Sequence, residues 1–262
     1  YLVGADGARS RVRAAAGIGW RTYGRSATYL MADFPDPGAN GSTAVLFFER
    51  GGVVESFPLP GARRRWVAMT QTLSPGASGA DLAATIRRRT TVNLTDAVAP
   101  PSAFAVQQRL AERMVVGRIV LLGDAAHEIS PIGGQGMNLG WLDAMALAPA
   151  LERAVAVDRA ARGDSGSGNG DGDDDGSDDG SGNRGNGSVS ADSRRDVTAA
   201  LAAYDQRRRS AARMAVRQAG FNMAMGRPYE GVRLHARNAL VRLLAVPPTN
   251  QVLARAFTMR WL

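Results

Sequence analysis

The sequence predicts an α/β protein with an inserted antiparallel sheet and with helices at the C-terminal end of the chain. Three observations support this fold class. Residues 119–122 form an unbroken apolar run, which is typical of a strand buried on both faces of a parallel sheet. Residues 27–72 alternate short strand-like segments with Gly and Pro turns. Residues 194–224 and 233–244 carry helical patterns.

The composition excludes several classes of protein and of functional site. The 262 residues are 45% hydrophobic, enough for one large or two modest domains. There is no cysteine and there are two histidines, which excludes disulfides and thiolate catalysis and leaves too few ligands for a zinc site. No apolar run approaches the roughly 20 residues that span a bilayer, and no signal-peptide pattern opens the sequence. We therefore expect a cytoplasmic protein.

The charge is unevenly distributed. All 32 basic residues are arginine, and the formal net charge is +8. Residues 163–193 hold eight of the 24 acidic residues and one arginine, so the rest of the chain carries 31 Arg against 16 acidic groups. Such a field attracts anions, and its sign does not distinguish dinucleotide phosphates from RNA or an acidic membrane surface.

Residues 118–144 read as strand, acidic turn, glycine-rich loop and helix. Gly123 and Asp124 end the apolar run and set a carboxylate at the carboxyl end of a strand, where open α/β sheets bind ligands. This carboxylate is well placed to accept hydrogen bonds from the hydroxyls of a sugar or sugar alcohol. The loop leads into a predicted helix from Met137 to Leu147. The first N–H groups of this helix lie at the positive end of the helix dipole, which is equivalent to about half a positive charge.

The remaining elements are predicted in chain order. Tyr1 to Val3 reads as the end of a strand, followed by an Asp-Gly turn and a short helix opened by Ser10. Hairpin turns of Pro and Gly predict an antiparallel sheet. Its strands are predicted at 27–34, 43–49, 53–57 and 65–72, with another strand at 104–110 and a helix at 79–92.

The end of the chain is predicted to be helical after a polar loop. Residues 163–193 have almost no apolar side chains, so we expect a disordered acidic loop. Helices are predicted at 194–224, 233–244 and 250–259. Arg207 to Arg209 are interpreted as a solvated face, and His235 as a surface residue.

Two motifs resemble those of FAD-dependent monooxygenases of the para-hydroxybenzoate hydroxylase type. Residues 123–144 contain GDAAH, P-x-x-G-x-G-x-N and D-A, and residues 2–13, LVGADGARSRVR, resemble the other internal motif of that family. The resemblance implies the C-terminal part of a FAD-binding Rossmann-like domain, with an inserted antiparallel-sheet substrate domain and C-terminal helices. The family's N-terminal G-x-G-x-x-G turn does not precede residue 2, so we expect a portion of a longer enzyme that binds FAD weakly alone.

The resemblance also implies a cofactor site. Its residues would be Asp6, Gly7, Arg13, Gly123, Asp124, Pro131, Gly133, Gly134, Gln135, Gly136, Met137 and Asn138. Asp124 would bond the ribityl chain of FAD, and Pro131 would lie beside the isoalloxazine ring. Backbone N–H groups of Met137 and Asn138 would face the N1–C2 carbonyl edge. The position of Asp6 is linked in the family to binding of the nicotinamide cofactor, NAD(P)H. No catalytic side chain or metal ligand is assigned, because the oxidation chemistry belongs to the flavin.

The implied activity is hydroxylation of an aromatic or polyketide-like small molecule with FAD and NAD(P)H, without nucleic acid as a partner. A flavin-dependent reductase or epoxidase of the same fold is an alternative, as is a non-catalytic basic module that binds RNA or an acidic partner. The basic helix at 233–244 would pack on the flavin domain or, as a second alternative, make a peripheral membrane contact.

We expect five segments in the chain. The FAD-binding domain would contribute residues 1–24 and 113–162, and the mainly antiparallel substrate domain would span 25–112. The acidic loop would follow at 163–193, and the C-terminal helices would occupy 194–262.

Overall fold

The computed structural model describes residues 1–38, 40–130, 136–162 and 190–246, without the side chains of residues 244 and 245. The strands are β1 (Leu2–Gly4), β2 (Trp20–Pro35), β3 (Val45–Phe47), β4 (Val54–Leu59), β5 (Arg63–Thr70), β6 (Ser102–Ala111), β7 (Val115–Val116), β8 (Ile119–Leu121) and β9 (His127–Glu128). The helices are α1 (Arg11–Ala15), α2 (Gly79–Thr90), α3 (Gly136–Ala161), α4 (Ala191–Gly226) and α5 (Gly231–Ala245), and a 3-10 turn spans Gly123–Ala125.

A small sheet of order β1-β8-β7 brings the two motifs together. β1 and β8 are parallel, with Gly4 opposite Leu121, so the loops that follow them leave the same edge of the sheet. The prediction of a parallel environment for the apolar run is right on this side only, because β7 pairs antiparallel with β8. Val120 and Leu121 are fully buried, as predicted, among side chains of α3 and α4.

A larger sheet of order β3-β4-β5-β2-β6-β9 is antiparallel throughout. Its longest strand, β2, shifts register against β6 between Tyr23 and Ala27. At the far edge, β9 pairs His127 with Leu110 of β6. Because the 3-10 turn lies between β8 and β9, the second motif connects the two sheets directly.

The two faces of the larger sheet have different coverings. On one face α2 packs Leu82 and Ile86 against Trp66, and all three side chains are fully buried. Burial of each such side chain stabilises the fold by about 1.5–3 kcal/mol. A capping box between Ser78 and Asp81 starts α2. The opposite face packs against the C-terminal part of α4.

The helices of the C-terminal part pack on the small sheet and on each other. Leu201 and Tyr204 of α4 lie in the same buried cluster as Leu147 of α3. Arg237 of α5 is buried and donates to the carbonyl oxygen of Met225 at 3.1 Å. Within the described ranges, no helix has the length and apolar character needed to cross a membrane.

The predicted fold class, α/β with an antiparallel sheet and C-terminal helices, is confirmed, and the element bounds are corrected. β2 begins at Trp20 instead of residue 27, because its first residues continue to pair with β6 beyond the register shift. α3 continues past the predicted end at Leu147, through Pro149, to Ala161. The helix predicted at 250–259 and residues 163–189 of the predicted acidic loop lie outside the described residues.

The start of α4 corrects the predicted end of the acidic loop. The helix begins at Ala191 instead of Arg194. Ser190 is its N-cap, and the Ser190 hydroxyl accepts a hydrogen bond from the backbone N–H of Ser193 at 3.1 Å. Ser190 therefore belongs to the helix and not to the loop.

We expect that replacement of residues 163–189 by a short Gly-Ser linker leaves the free energy of unfolding unchanged, because a polar segment with almost no apolar side chains adds no core. Extension of the deletion to residue 193 should cost about 1 kcal/mol, since it removes the Ser190 cap. Urea denaturation of both variants measures the difference. Loss of soluble protein in the shorter deletion would show that the segment packs on the fold.

Candidate cofactor-binding site

A buried carboxylate organises the second motif. Asp143, on α3, is 0% exposed. Its Oδ2 accepts a hydrogen bond from the backbone N–H of Gly123 at 3.0 Å and lies 2.5 Å from Nε2 of His127. Its Oδ1 accepts from Nε of Arg208 on α4 at 2.6 Å. One side chain therefore joins the 3-10 turn, β9, α3 and α4.

The charge of Asp143 is stabilised by these partners. Burial by itself would raise the pKa of Asp143, but hydrogen bonds from His127, Arg208 and the Gly123 N–H outweigh burial and hold this pKa below its usual range. The carboxylate is thus ionised at neutral pH. Arg208 is its cationic partner, with a side chain 11% exposed. The prediction that Arg207 to Arg209 form a solvated face is wrong for Arg208.

The 3-10 turn touches the first turns of α3. A Cβ on Gly140 would lie 3.2 Å from Cα of Gly123, so the absence of a side chain at residue 140 allows this approach. Gly123 adopts a φ of 59°, which glycine tolerates. Tyr204 fixes the preceding strand, because its buried hydroxyl donates to the carbonyl oxygen of Leu121 at 3.0 Å.

Asp124 lies in this fixed turn with its carboxylate available to a ligand. The residue is exposed to solvent, although the protein packed around the turn desolvates the carboxylate enough to raise its pKa. Within the described part of the chain, no group donates a hydrogen bond to it; its described electrostatic neighbours are His127 and Glu128. The structure thus positions the backbone of Asp124 tightly and leaves its side chain accessible.

The first motif forms a loop beside this turn. Oδ2 of Asp6 accepts hydrogen bonds from the backbone N–H groups of Arg11 at 2.7 Å and Val12 at 3.1 Å, at the start of α1. The Ser10 hydroxyl, together with these N–H groups, lowers the pKa of Asp6. Gly7 turns the chain at a φ of 80°. The Asp6 carboxylate therefore stabilises α1, while its link to a nicotinamide cofactor stays a prediction.

Arg13 connects the two motifs. Its guanidinium donates to the carbonyl oxygens of Ala8 and Ala125, each at 3.1 Å, and stacks on Trp20 with its Cζ 3.9 Å from the ring centroid. Burial lowers the pKa of Arg13 somewhat, but an arginine remains charged at neutral pH. The described contacts of Arg13 hold the Asp6 and Asp124 loops together; contact with a cofactor stays a prediction.

The glycine loop leads into the N-terminus of α3. Of the predicted site residues, Pro131, Gly133, Gly134 and Gln135 lie outside the described residues. Gly136, Met137 and Asn138 form the first turn of α3, where backbone N–H groups have no acceptor within the helix. Met137 is 66% exposed. The Asp143 contact with Gly123 holds this helix end beside the 3-10 turn that carries Asp124.

Sequence reasoning missed the residues that support the site. Asp143 stands in the D-A pair that ends the second motif, so its position in the motif was a signal for its role. Tyr204 and Arg208 are four residues apart and share one face of α4. Their contacts with residues 121 and 143 join distant parts of the chain, and helical spacing gives no information about such partners.

Comparison with known proteins identifies the family. The FAD binding domain family matches residues 1–162, which is more than half of the chain. The matched range includes both motifs and the larger sheet. The chain therefore belongs to this family, whose members include FAD-dependent aromatic hydroxylases, as its motifs indicated.

The similar proteins are longer than this chain. It is 37% identical over 164 residues to a ubiquinone hydroxylase, UbiL, of Rhodospirillum rubrum, in a match that covers 60% of this chain and 38% of that protein. The structure of OxyS, an anhydrotetracycline hydroxylase from Streptomyces rimosus, superimposes with a TM-score of 0.63 at 26% identity, over 99% of this chain and 46% of that one. The Diels-Alderase PyrE3 of pyrroindomycin biosynthesis shares the fold, with a TM-score of 0.70 at 24% identity, over 98% of this chain and 49% of that one. The chain spans less than half the length of each.

We expect Asp143→Ala to lower the free energy of unfolding by about 3–5 kcal/mol, because it leaves the partly buried Arg208 and the buried His127 without their carboxylate. Asp158→Ala is the matched control, since Asp158 forms an ion pair with the well-exposed Arg118 at 2.7 Å. The control should cost less than about 1 kcal/mol. Urea denaturation measures both, and equal losses would contradict a central role for Asp143.

Proposed function

We propose that the chain forms part of a FAD-dependent, NAD(P)H-using monooxygenase that hydroxylates an aromatic or polyketide-like ring. The observation that carries this proposal is the Asp124 carboxylate, accessible to a ligand and held beside the N-terminus of α3 by Asp143. Membership of the FAD binding domain family and the hydroxylase names of relatives support it. The chain's short coverage of these relatives leaves the activity of a whole enzyme as a proposal.

The described residues suit FAD. A carboxylate without a described protein donor fits the hydroxyls of a ribityl chain, since each hydroxyl can donate to it. The backbone N–H groups of the first turn of α3, which have no acceptor within the helix, suit an electron-rich, partly anionic edge of a ring. Gly123 and Gly140 keep the adjoining backbone free of side chains. The same position therefore offers an acceptor for the chain of the cofactor and donors for its ring.

The residues of this chain would bind and tune the cofactor. FAD, when bound, supplies the redox and oxygen chemistry, and so the site needs no acid-base pair of its own. Asp124 would hold the ribityl chain, and the N–H groups of Met137 and Asn138 would stabilise negative charge on the ring. Asp143 and Arg13 would keep these groups in position. Asp6 is the proposed residue near NAD(P)H.

Two alternatives lead to different observations. A reductase or epoxidase of the same fold would bind FAD through the same residues and differ in its product, so analysis of the product with candidate substrates separates them. A basic binding module would shift nucleic acid in a salt-dependent gel assay and would not bind flavin. The exposed Asp124 carboxylate disfavours the second alternative, because it would repel phosphate at this position.

Asp124→Ala should weaken FAD binding by about 1.5–3 kcal/mol, the usual worth of hydrogen bonds to a charged group. Asp96→Ala, which removes another exposed carboxylate, should leave the affinity unchanged. Flavin fluorescence titration measures both dissociation constants, and placing a G-x-G-x-x-G segment ahead of this chain gives the same comparison at higher affinity. Identical affinities for the two variants would contradict the proposed role of Asp124.

Asn138→Pro should lower the midpoint potential of bound flavin more than it weakens FAD binding. Proline removes one backbone N–H in the first helical turn, where the helix needs none, and the reduced ring carries more negative charge than the oxidised ring. Asn138→Ala is the matched control, because it changes the same side chain and keeps the N–H group. Redox titration of the flavin-loaded proteins compares them. A potential that is equal in both variants would remove this role.

A further inference from the structure

The face of the larger sheet opposite α2 contains a buried carboxyl group that the cofactor site does not use. Glu55, on β4, is 2% exposed, and its cross-strand neighbours are Leu46 and Val67. Within the described ranges, its Oε1 has no hydrogen-bond partner. A buried polar atom without a partner costs about 1–3 kcal/mol, and a ligand that pairs with it would recover this cost.

A second buried polar group lies on the same face. Strand register puts Val67 opposite both Glu55 and Met31, and Tyr29 lies two residues from Met31 on β2, so these side chains share one face. Tyr29 is 1% exposed, and its hydroxyl forms no hydrogen bond of ordinary geometry with described residues. Burial first, and the Glu55 carboxyl second, raise the pKa of Tyr29.

The surroundings of this pair are apolar and partly open. Phe104 stacks on the Tyr29 ring, with 5.5 Å between the ring centroids. Other apolar side chains of this face are only partly buried, namely those of Met31, Leu46, Phe48, Phe57 and Phe104. Such a surface suits a flat ring more than a polar ligand.

Few described cationic groups act on Glu55 and Tyr29. Burial is the cause that raises the pKa of Glu55 to about 8, with no described basic group acting against it. The guanidinium of Arg227 acts weakly on Tyr29, while it donates to the carbonyl oxygen of Arg25 at 3.1 Å. Glu55 therefore carries its proton at neutral pH, and both groups of the pair can donate and accept hydrogen bonds.

The pair also lies beside the second motif. The Ser130 side chain interacts with the Tyr29 hydroxyl through a hydrogen bond outside ordinary geometry, which lowers the Tyr29 pKa against the stronger effect of burial. Ser130 follows β9 two residues after Glu128 and is the last described residue before the glycine loop. The Tyr29 hydroxyl is therefore next to the chain segment that leads to the candidate cofactor site.

We propose that Glu55 and Tyr29 are specificity-determining residues that bind a hydroxyl group on an uncharged aromatic ring, and that this sheet face disfavours aromatic carboxylates. The inference rests on the proposed function, and it adds the chemical class of the substrate. Each member of the pair can donate to and accept from a ligand hydroxyl. A ligand carboxylate would bring a negative charge into an apolar site. No described cation acts on Glu55 there, so none would offset that charge.

The test uses the 262-residue chain and three probes of one ring system: 2-naphthol, naphthalene and 2-naphthoate. Calorimetric titration at pH 7 should show that wild-type protein binds 2-naphthol about tenfold more tightly than naphthalene and 2-naphthoate, since one hydrogen bond to a polar pair is worth about that factor. Glu55→Met, similar in length and apolar, should abolish the preference for 2-naphthol over naphthalene. It should also raise the melting temperature, because it removes an unpaired buried carboxyl.

Two further variants keep the test decisive. Glu55→Gln can still hydrogen-bond and should retain part of the preference, so it serves if Glu55→Met does not fold. Glu112→Met makes the same substitution at an exposed carboxylate. It should leave the preference for 2-naphthol unchanged and should not raise the melting temperature. Equal affinities of wild-type protein for the three probes would overturn the inference, as would an unaltered preference in Glu55→Met.

Failure of this inference is distinguishable from failure of the proposed function, because the probes bind without flavin. A chain that prefers 2-naphthol and gains no FAD binding in the presence of a G-x-G-x-x-G segment would contradict the function and retain the hydroxyl site. A chain that binds FAD through Asp124 and shows no preference among the probes would contradict the hydroxyl site alone.

Discussion

The buried carboxylate of Asp143 is the constraint on which the candidate site depends. It accepts hydrogen bonds from a backbone N–H, an imidazole and a guanidinium, and each comes from a different element. An ionised carboxylate in the interior is stable only when its partners are present together. The 3-10 turn, the start of α3 and the middle of α4 therefore adopt their relative positions as one unit, and Asp124 and the first helical turn are positioned with them.

Parallel pairing adds the first motif to this unit. Because β1 and β8 run side by side in the same direction, the Asp6 and Asp124 loops begin at one edge of the sheet, although 118 positions separate them in the sequence. Arg13 then binds carbonyl oxygens from both loops. Site residues that contact ligand directly can be exposed in such an arrangement, because buried residues behind them supply the rigidity.

The two faces of the larger sheet contribute differently to the stability of the fold. The α2 face carries the packed cluster of Leu82, Ile86 and Trp66 beside the buried Arg64, whereas the other face holds the buried polar groups of Glu55 and Tyr29. Apolar residues at these two positions would favour folding, so the polar pair lowers stability. Proteins commonly accept such costs where a ligand supplies the missing partners. The two faces of one sheet thus divide folding from recognition.

The sequence by itself determined the fold class, the family and the order of the elements, because these follow from local patterns: the apolar run at 119–122, the turn residues between strands and the two motifs. It also located Asp124 at a strand end. Only the tertiary structure decided that Arg208 pairs with Asp143, that Arg13 bridges the two loops and that Glu55 and Tyr29 share a buried face. Helical or strand periodicity identifies the face on which a side chain lies. The group that meets it across the core depends on strand register and helix packing between segments far apart in the chain, which no local pattern contains.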